Sequence, residues 1–175
     1  IKDYPTMLVA FAQLRRAMPN QPLRLAILGH GPDRGALQDF AVSLRLAEDV
    51  TFLGFDPNPM RYMARATLLL QSSQAEGLPG VIIQAGACGV PVVATDCDHG
   101  PREVIEHGTT GILVPVGDAE ALADAARALL LDPQLRQQMG AAAKLRTQRY
   151  RASESLARYE AALLGTSVAA SGAAA

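Results

Sequence analysis

The sequence predicts an α/β domain with a doubly wound, Rossmann-like parallel sheet, and three observations carry that expectation. Short, nearly all-apolar runs recur at residues 23–28, 50–53, 68–70, 91–95 and 112–114. Segments with apolar residues at helical spacing lie between them. Turn residues close the first and third runs, as Gly29-His30-Gly31-Pro32 and Ser72-Ser73. Strands without a polar face must be covered on both sides, which a parallel sheet between two helix layers provides.

The elements follow in order. After Lys2-Asp3-Tyr4-Pro5, the residues Met7, Leu8, Ala10, Phe11 and Leu14 recur at helical spacing; Pro5 suits an early helical position and Pro19 ends the run. The run 23–28 reads as a strand, its glycine turn leads into a helix carrying Leu37, Phe40, Ala41 and Leu44, and 50–53 is the second strand. A helix over 60–66, a strand over 68–70 and a helix over about 78–88 come next. Residues 91–95 form a β-branched strand, 102–106 a short helix, 112–114 a strand and 119–131 an alanine-rich helix. Two further helices are predicted at about 133–150 and 153–164. The stretch 165–175 is Ala, Gly and Ser with one Thr and one Val, and is expected to be a mobile tail outside a domain of residues 1–164.

A chain of 175 residues supports one domain with a sizeable core. Hydrophobic residues at 49%, charged residues at 19% and a formal net charge of -1 fit a soluble globular class and give no bulk attraction to nucleic acid. Arg136, Lys144, Arg146, Arg149 and Arg151 bias the last helices toward positive charge. They read as a solvated helical face, or as a contact for an anionic membrane surface or another domain. Cys88 and Cys97 make no disulfide framework and no C-x-x-C pair, and fit a reducing, cytosolic setting. No uninterrupted apolar run is long enough to cross a membrane. The opening at Ile1, directly before a helix, reads as the middle of a longer polypeptide.

Ligands of doubly wound folds sit outside the carboxyl ends of the strands, so the chemistry belongs to the loops after Leu28, Leu53, Leu70, Thr95 and Val114. The most informative is Ser72-Ser73-Gln74-Ala75-Glu76-Gly77-Leu78-Pro79-Gly80, which leaves a strand and enters a helix. A helix start carries about half a positive charge and unpaired N–H donors, and glycine lets a ligand approach the backbone, so an anion such as a phosphate is favoured there. Glu76 admits two readings: a carboxylate that accepts from sugar hydroxyls, or an acidic residue favoured by the helix dipole. His30 could meet a phosphate or donate to a hydroxyl, or be an ordinary polar turn residue. The turn around it is G-x-G-P rather than G-x-G-x-x-G, which argues against a nicotinamide dinucleotide. Asp96-Cys97-Asp98-His99 invites a divalent metal, but no second ligand cluster accompanies it and polar loop residues explain it as well. No nucleophile elbow and no Walker loop is present.

Read together, the loops resemble the carboxyl-terminal domain of retaining GT-B glycosyltransferases of the group-one, family-four type, over residues 2–164. The matching pieces are Lys2-Asp3-Tyr4-Pro5, Gly29-His30-Gly31-Pro32, Phe52-Leu53-Gly54-Phe55, Ser72-Ser73 with Glu76-Gly77-Leu78-Pro79, Gly89-Val90-Pro91-Val92-Val93-Ala94-Thr95-Asp96, Gly100-Pro101-Arg102-Glu103 and Gly111-Ile112-Leu113-Val114-Pro115. The resemblance implies that Lys2 and the helix start at Gly77, Leu78, Pro79 and Gly80 hold the diphosphate of a nucleotide-sugar donor, and that Glu76 meets the donor sugar. Lys2 and Glu76 are then the expected catalytic pair, with Gly29 and Gly31 also on the donor side and the backbone at Phe55 and Asp56 beside the base. The second glutamate of the family signature, which usually bonds the ribose, is Gln84 here. Glutamine keeps an acceptor but loses charge, so donor binding weakens without disappearing.

The same resemblance implies transfer of a hexose, from a UDP-sugar by expectation, with retention of anomeric configuration and no metal or other cofactor. The acceptor would be a glycan or lipid-linked species of cell-surface polysaccharide synthesis. The family's first strand and its amino-terminal acceptor-binding domain would precede Ile1, so this stretch alone is expected to bind donor and hardly transfer sugar. The implied setting is a bacterial cytoplasm, with peripheral contact of the parent protein at the inner face of the membrane. Two alternatives stay open: a donor-binding pseudoenzyme or regulatory domain marked by Gln84, and a GT-B-fold sugar-nucleotide epimerase.

Overall fold

The computed structural model describes residues 1–165. Beyond Gly165, the predicted mobile tail lies outside the described residues. The chain opens into α1 (Tyr4–Ala17), followed by β1 (Leu25–Leu28), α2 (Arg34–Ser43), β2 (Val50–Gly54), α3 (Met60–Met63), β3 (Leu69–Gln71) and α4 (Gly80–Ala87). It continues through β4 (Val92–Thr95), α5 (Pro101–Val104), β5 (Gly111–Val114), α6 (Ala119–Leu131), α7 (Pro133–Thr147), a tight turn of 3-10 helix (Gln148–Tyr150) and α8 (Ala152–Leu164). All five apolar runs are strands. The segment expected to be helical over 60–66 is α-helical only to Met63, because the amides of Arg65 and Ala66 reach back three residues rather than four.

Every strand pairing is parallel: β1 with β2, β3 with β4, and β4 with β5. The ladder bonds form a two-stranded and a three-stranded set, and among the described residues β1 and β3 share none. Helix α1 packs against both sets. Its Leu8, Phe11 and Leu14 join Ile27 and Val50 with Leu68 and Leu70 beside them, while Ala10 joins Val93, Leu122 and Leu129. The other side of β4 packs Val92 and Ala94 against Ile82 and Ala85 of α4 and Val104 of α5. Helices therefore cover both faces of the three-stranded sheet, which is why all four residues of β4 are buried. Fully buried side chains such as Leu8, Leu122 and Leu129 contribute about 1.5–3 kcal/mol each.

Glycines set the closest approaches on the far side of α4. A methyl at Gly86 would overlap the Thr147 side chain, and one at Gly140 would overlap the Gly89 carbonyl, so α4 and α7 pack almost backbone to backbone. That contact braces α4 from behind and leaves its first turn at the carboxyl ends of the strands. No helix among the described residues is long and apolar enough to cross a membrane.

Candidate functional site

The residue before α1 and the loop after β3 come together although they lie some 70 positions apart in sequence. The Ser72 hydroxyl donates to the Lys2 carbonyl at 2.9 Å and the Asp3 carbonyl at 2.8 Å, and the Gln74 amide donates to the Ile1 carbonyl. Asp3 has a left-handed backbone (φ 48) and caps α1 by accepting from the Thr6 amide and hydroxyl. Lys2 is thereby aimed across the loop, and its Nζ lies 2.6 Å from Glu76 Oε1.

Glu76 is the most heavily bonded carboxylate of the loop. Its Oε1 accepts from Lys2 Nζ at 2.6 Å, Ser73 Oγ at 2.6 Å and Gln71 Nε2 at 2.8 Å. Burial pushes the Glu76 carboxyl up; the bonds from Lys2 and Ser73, the charge of Lys2 and the bond from Gln71 outweigh it and hold the group below the ordinary glutamate range. Ser73 is fixed in turn by Thr95, whose buried hydroxyl donates to the Ser73 carbonyl from the end of β4. Gln71, Ser73 and Thr95 were legible in the sequence only as the ends of strands; the one hint was a glutamine closing a run of leucines.

The first turn of α4 follows directly. Its N-cap is Pro79, which offers no side-chain cap, so the Gly80 and Val81 amides keep their hydrogens unclaimed. A methyl at Gly77 or Gly80 would meet nothing within 4 Å, so the protein's own packing does not require a glycine at either position. Gly100 is the opposite case. It has φ +87, and a methyl there would overlap the Gly77 carbonyl and the Pro79 ring, so the loop after β4 is pressed against the loop after β3. Leu78 projects outward, 55% exposed, and Pro79 is buried.

The remaining expected site residues are placed as follows. Gln84 is exposed on α4, one turn beyond Gly80 and on the side away from the buried Ile82. Gly29, with φ +132, donates to the Gly54 carbonyl at 2.8 Å, which joins the turn holding Gly31 to the loop holding Phe55 and Asp56. His30 is exposed. Phe55 is 78% exposed, whereas Asp56 accepts from the Asn58 amide and the Tyr62 hydroxyl and pairs with Arg61. Those bonds, the Asn58 amide first, hold its carboxyl below the usual aspartate range. No hydrogen bond or ion pair among the described residues joins this second group to the Lys2–Glu76 group.

The Asp96–His99 loop is occupied by the protein itself. Arg102 bonds both carboxylate oxygens of Asp96, and its hydrogen bond is the main cause of a depressed Asp96 carboxyl. Burial pushes the Cys97 thiol up, so it stays protonated. The basic bias of the last helices is likewise partly internal, since Arg136 donates to the Leu129 and Leu130 carbonyls and Arg146 to the Val104 carbonyl.

Residues 2–146 match the model of the family described as glycosyl transferases group 1. The exopolysaccharide phosphotransferase of Streptomyces coelicolor is 37% identical over 153 residues, which is 86% of this chain and 16% of that protein. The N-acetylgalactosamine-N,N'-diacetylbacillosaminyl-diphospho-undecaprenol 4-alpha-N-acetylgalactosaminyltransferase of Campylobacter jejuni is 33% identical over 149 residues, covering 85% of this chain and 40% of that protein. The crystal structure of Anabaena HepE in complex with UDP-glucose superposes with a TM-score of 0.82 at 28% identity, over 94% of this chain and 45% of that one. The chain thus spans less than half the length of each of these proteins.

Proposed function

This chain belongs to the glycosyl transferases group 1 family, and we propose that residues 1–164 are the donor-binding domain of a retaining glycosyltransferase that takes a hexose from a UDP-sugar. The observation that carries the reading is the convergence of Lys2, Glu76 and the uncapped start of α4 at the carboxyl end of the parallel sheet. The likeness to a structure holding UDP-glucose supports the choice of donor. The unclaimed amides of Gly80 and Val81 face the diphosphate, with room left by Gly77 and Gly80 for its close approach. Glu76 accepts from the hydroxyls of the sugar.

In the proposed reaction the acceptor hydroxyl bonds to the anomeric carbon on the face from which the diphosphate departs. The bond from that carbon to the phosphate oxygen breaks, and a departing phosphate oxygen takes the hydroxyl proton. Negative charge grows on the leaving diphosphate, where Lys2 and the amides of α4 stabilise it; one such donor is typically worth a few kcal/mol. Protein cations and amides supply that charge, so the proposal includes no metal. It also includes a separate acceptor-binding domain, in keeping with relatives more than twice as long as the stretch matched here. The undecaprenol-linked substrate in the name of the Campylobacter relative supports a lipid-linked or glycan acceptor, met at the inner face of a bacterial membrane.

Calorimetric titration of the chain with UDP, GDP and ADP, in buffer with a chelator, tests the reading. Binding of UDP without metal, weakened about tenfold by Lys2→Ala, is the expected result. No binding by any of the three contradicts it. One observation favours a second reading, binding without turnover: Gln84 lies where the family signature has its second glutamate. In that case Gln84→Glu raises donor affinity in this chain and restores turnover in the longer protein.

A further inference from the structure

The three donors that reach Glu76 all bond the same oxygen. Lys2 Nζ, Ser73 Oγ and Gln71 Nε2 stand 2.6, 2.6 and 2.8 Å from Oε1, and no donor among the described residues bonds Oε2. A carboxylate oxygen with three donors is saturated, so the capacity to accept from a ligand sits on the other oxygen. The donors also differ in kind. Lys2 is charged and its side chain is 55% exposed, whereas Ser73 and Gln71 are neutral and buried.

Gln71 is built for this bond at a cost to itself. It ends a strand that otherwise reads as leucines, it is 5% exposed, and its Oε1 is buried with no hydrogen-bond partner. A buried acceptor without a donor is unfavourable, and a leucine would fill the position without that cost. Turning the amide over would set its oxygen against the Glu76 carboxylate, so the orphaned oxygen follows from giving Nε2 to Glu76. Ser73 is equally committed, because Thr95 fixes its carbonyl while its hydroxyl serves Glu76.

We infer that Gln71 and Ser73 are positioning residues that hold Glu76 by Oε1 and present Oε2 to the hydroxyls of the donor sugar, leaving Lys2 free to exchange from Glu76 to the diphosphate. The inference rests on the donor reading above for the identity of the ligand. Two neutral donors keep the carboxylate oriented and ionised when the lysine leaves. The titratable groups that face Glu76 are Lys2 before α1 and the Cys97 thiol after β4.

The test has two arms on the same chain. In the first, the Glu76 side-chain carboxyl is titrated by carbon-detected NMR without ligand, in the native chain and in Gln71→Leu, Ser73→Ala and Ser73→Thr. The midpoint rises in Gln71→Leu and Ser73→Ala and stays in place in Ser73→Thr, which keeps the hydroxyl. Ser73→Ala removes a single atom, and it decides the matter should Gln71→Leu fail to fold. In the second arm, affinities for UDP and UDP-glucose are compared. Both disabling variants hold UDP within about twofold of the native value and lose the preference for UDP-glucose by about tenfold. A Glu76 midpoint that neither variant moves, or affinities for the two ligands that fall together, overturns the inference. Failure of the native chain to bind either nucleotide contradicts the donor reading instead, and the first arm still decides whether Gln71 and Ser73 position Glu76.

Discussion

Two loops occupy equivalent positions in this domain, after β1 and after β3, and both leave a parallel strand through glycine or serine into a helix. The loop after β3 is tied on all sides: to the chain before α1 through Ser72, to β4 through Thr95, and to the loop after β4 through the packing of Gly100 on Gly77. Among the described residues the loop after β1 has one backbone bond to another loop or strand, from Gly29 to Gly54, its others closing on the helix that follows, and its His30 side chain is exposed. The first loop holds a carboxylate in one geometry before any ligand arrives; the second can adapt. Preorganised groups lower a barrier without reorganising during the reaction, which suits the sugar and phosphate end of a transfer site. An adaptable loop suits contacts that need only affinity.

The largest break in this contrast comes from Gly100→Ala. A methyl in a left-handed position, pressed on the Gly77 carbonyl and the Pro79 ring, is expected to cost about 3 kcal/mol of stability in chemical denaturation, with loss of UDP binding. Glu76→Ala comes next, removing the charged acceptor: the preference for UDP-glucose over UDP falls at least about tenfold by calorimetry, with the fold intact by circular dichroism. Thr95→Val cuts the tie from β4 to Ser73 and is expected to cost about 1 kcal/mol in urea denaturation.

The pH dependence sharpens the same point. The folded Glu76 carboxyl lies below its ordinary value, so its contribution to stability is complete above that value and is lost as pH falls through it toward the folded value. Urea denaturation of the native chain and Glu76→Gln at stepped acid pH should therefore show their stability difference shrinking as pH falls. The smallest effect belongs to the adaptable loop, where His30→Ala should change stability by less than about 0.5 kcal/mol in the same assay.

The strands and most helix limits were legible because apolar runs and turn residues mark the elements, as at Val92–Thr95, where every residue is inside; the two separate ladder sets and the exposed residues of β1 and β2 were not. The helix start after the third strand was legible too, from Gly77, Pro79 and Gly80 alone. The geometry around Glu76 was not. Lys2, ahead of α1, meets Glu76 across 74 residues, and nothing local encodes that meeting; which oxygen Ser73 and Gln71 bond is set by side-chain geometry that apolar spacing does not report. Asp96 read as an open loop carboxylate, yet Arg102, in the first turn of a short helix, takes both its oxygens. The Arg136 and Arg146 guanidinium groups read as surface charge and instead bond main-chain carbonyls of α6 and α5.

In the proposed function the start of α4 and Lys2 receive the diphosphate of a nucleotide sugar. Amide NMR spectra of the isotope-labelled chain, recorded as UDP is added in the presence of a chelator, test it residue by residue. The largest shifts are expected at Gly77, Leu78, Gly80 and Val81, with Lys2 following and α6 to α8 unmoved. Saturable shifts confined to other elements, or none at millimolar UDP, would contradict it.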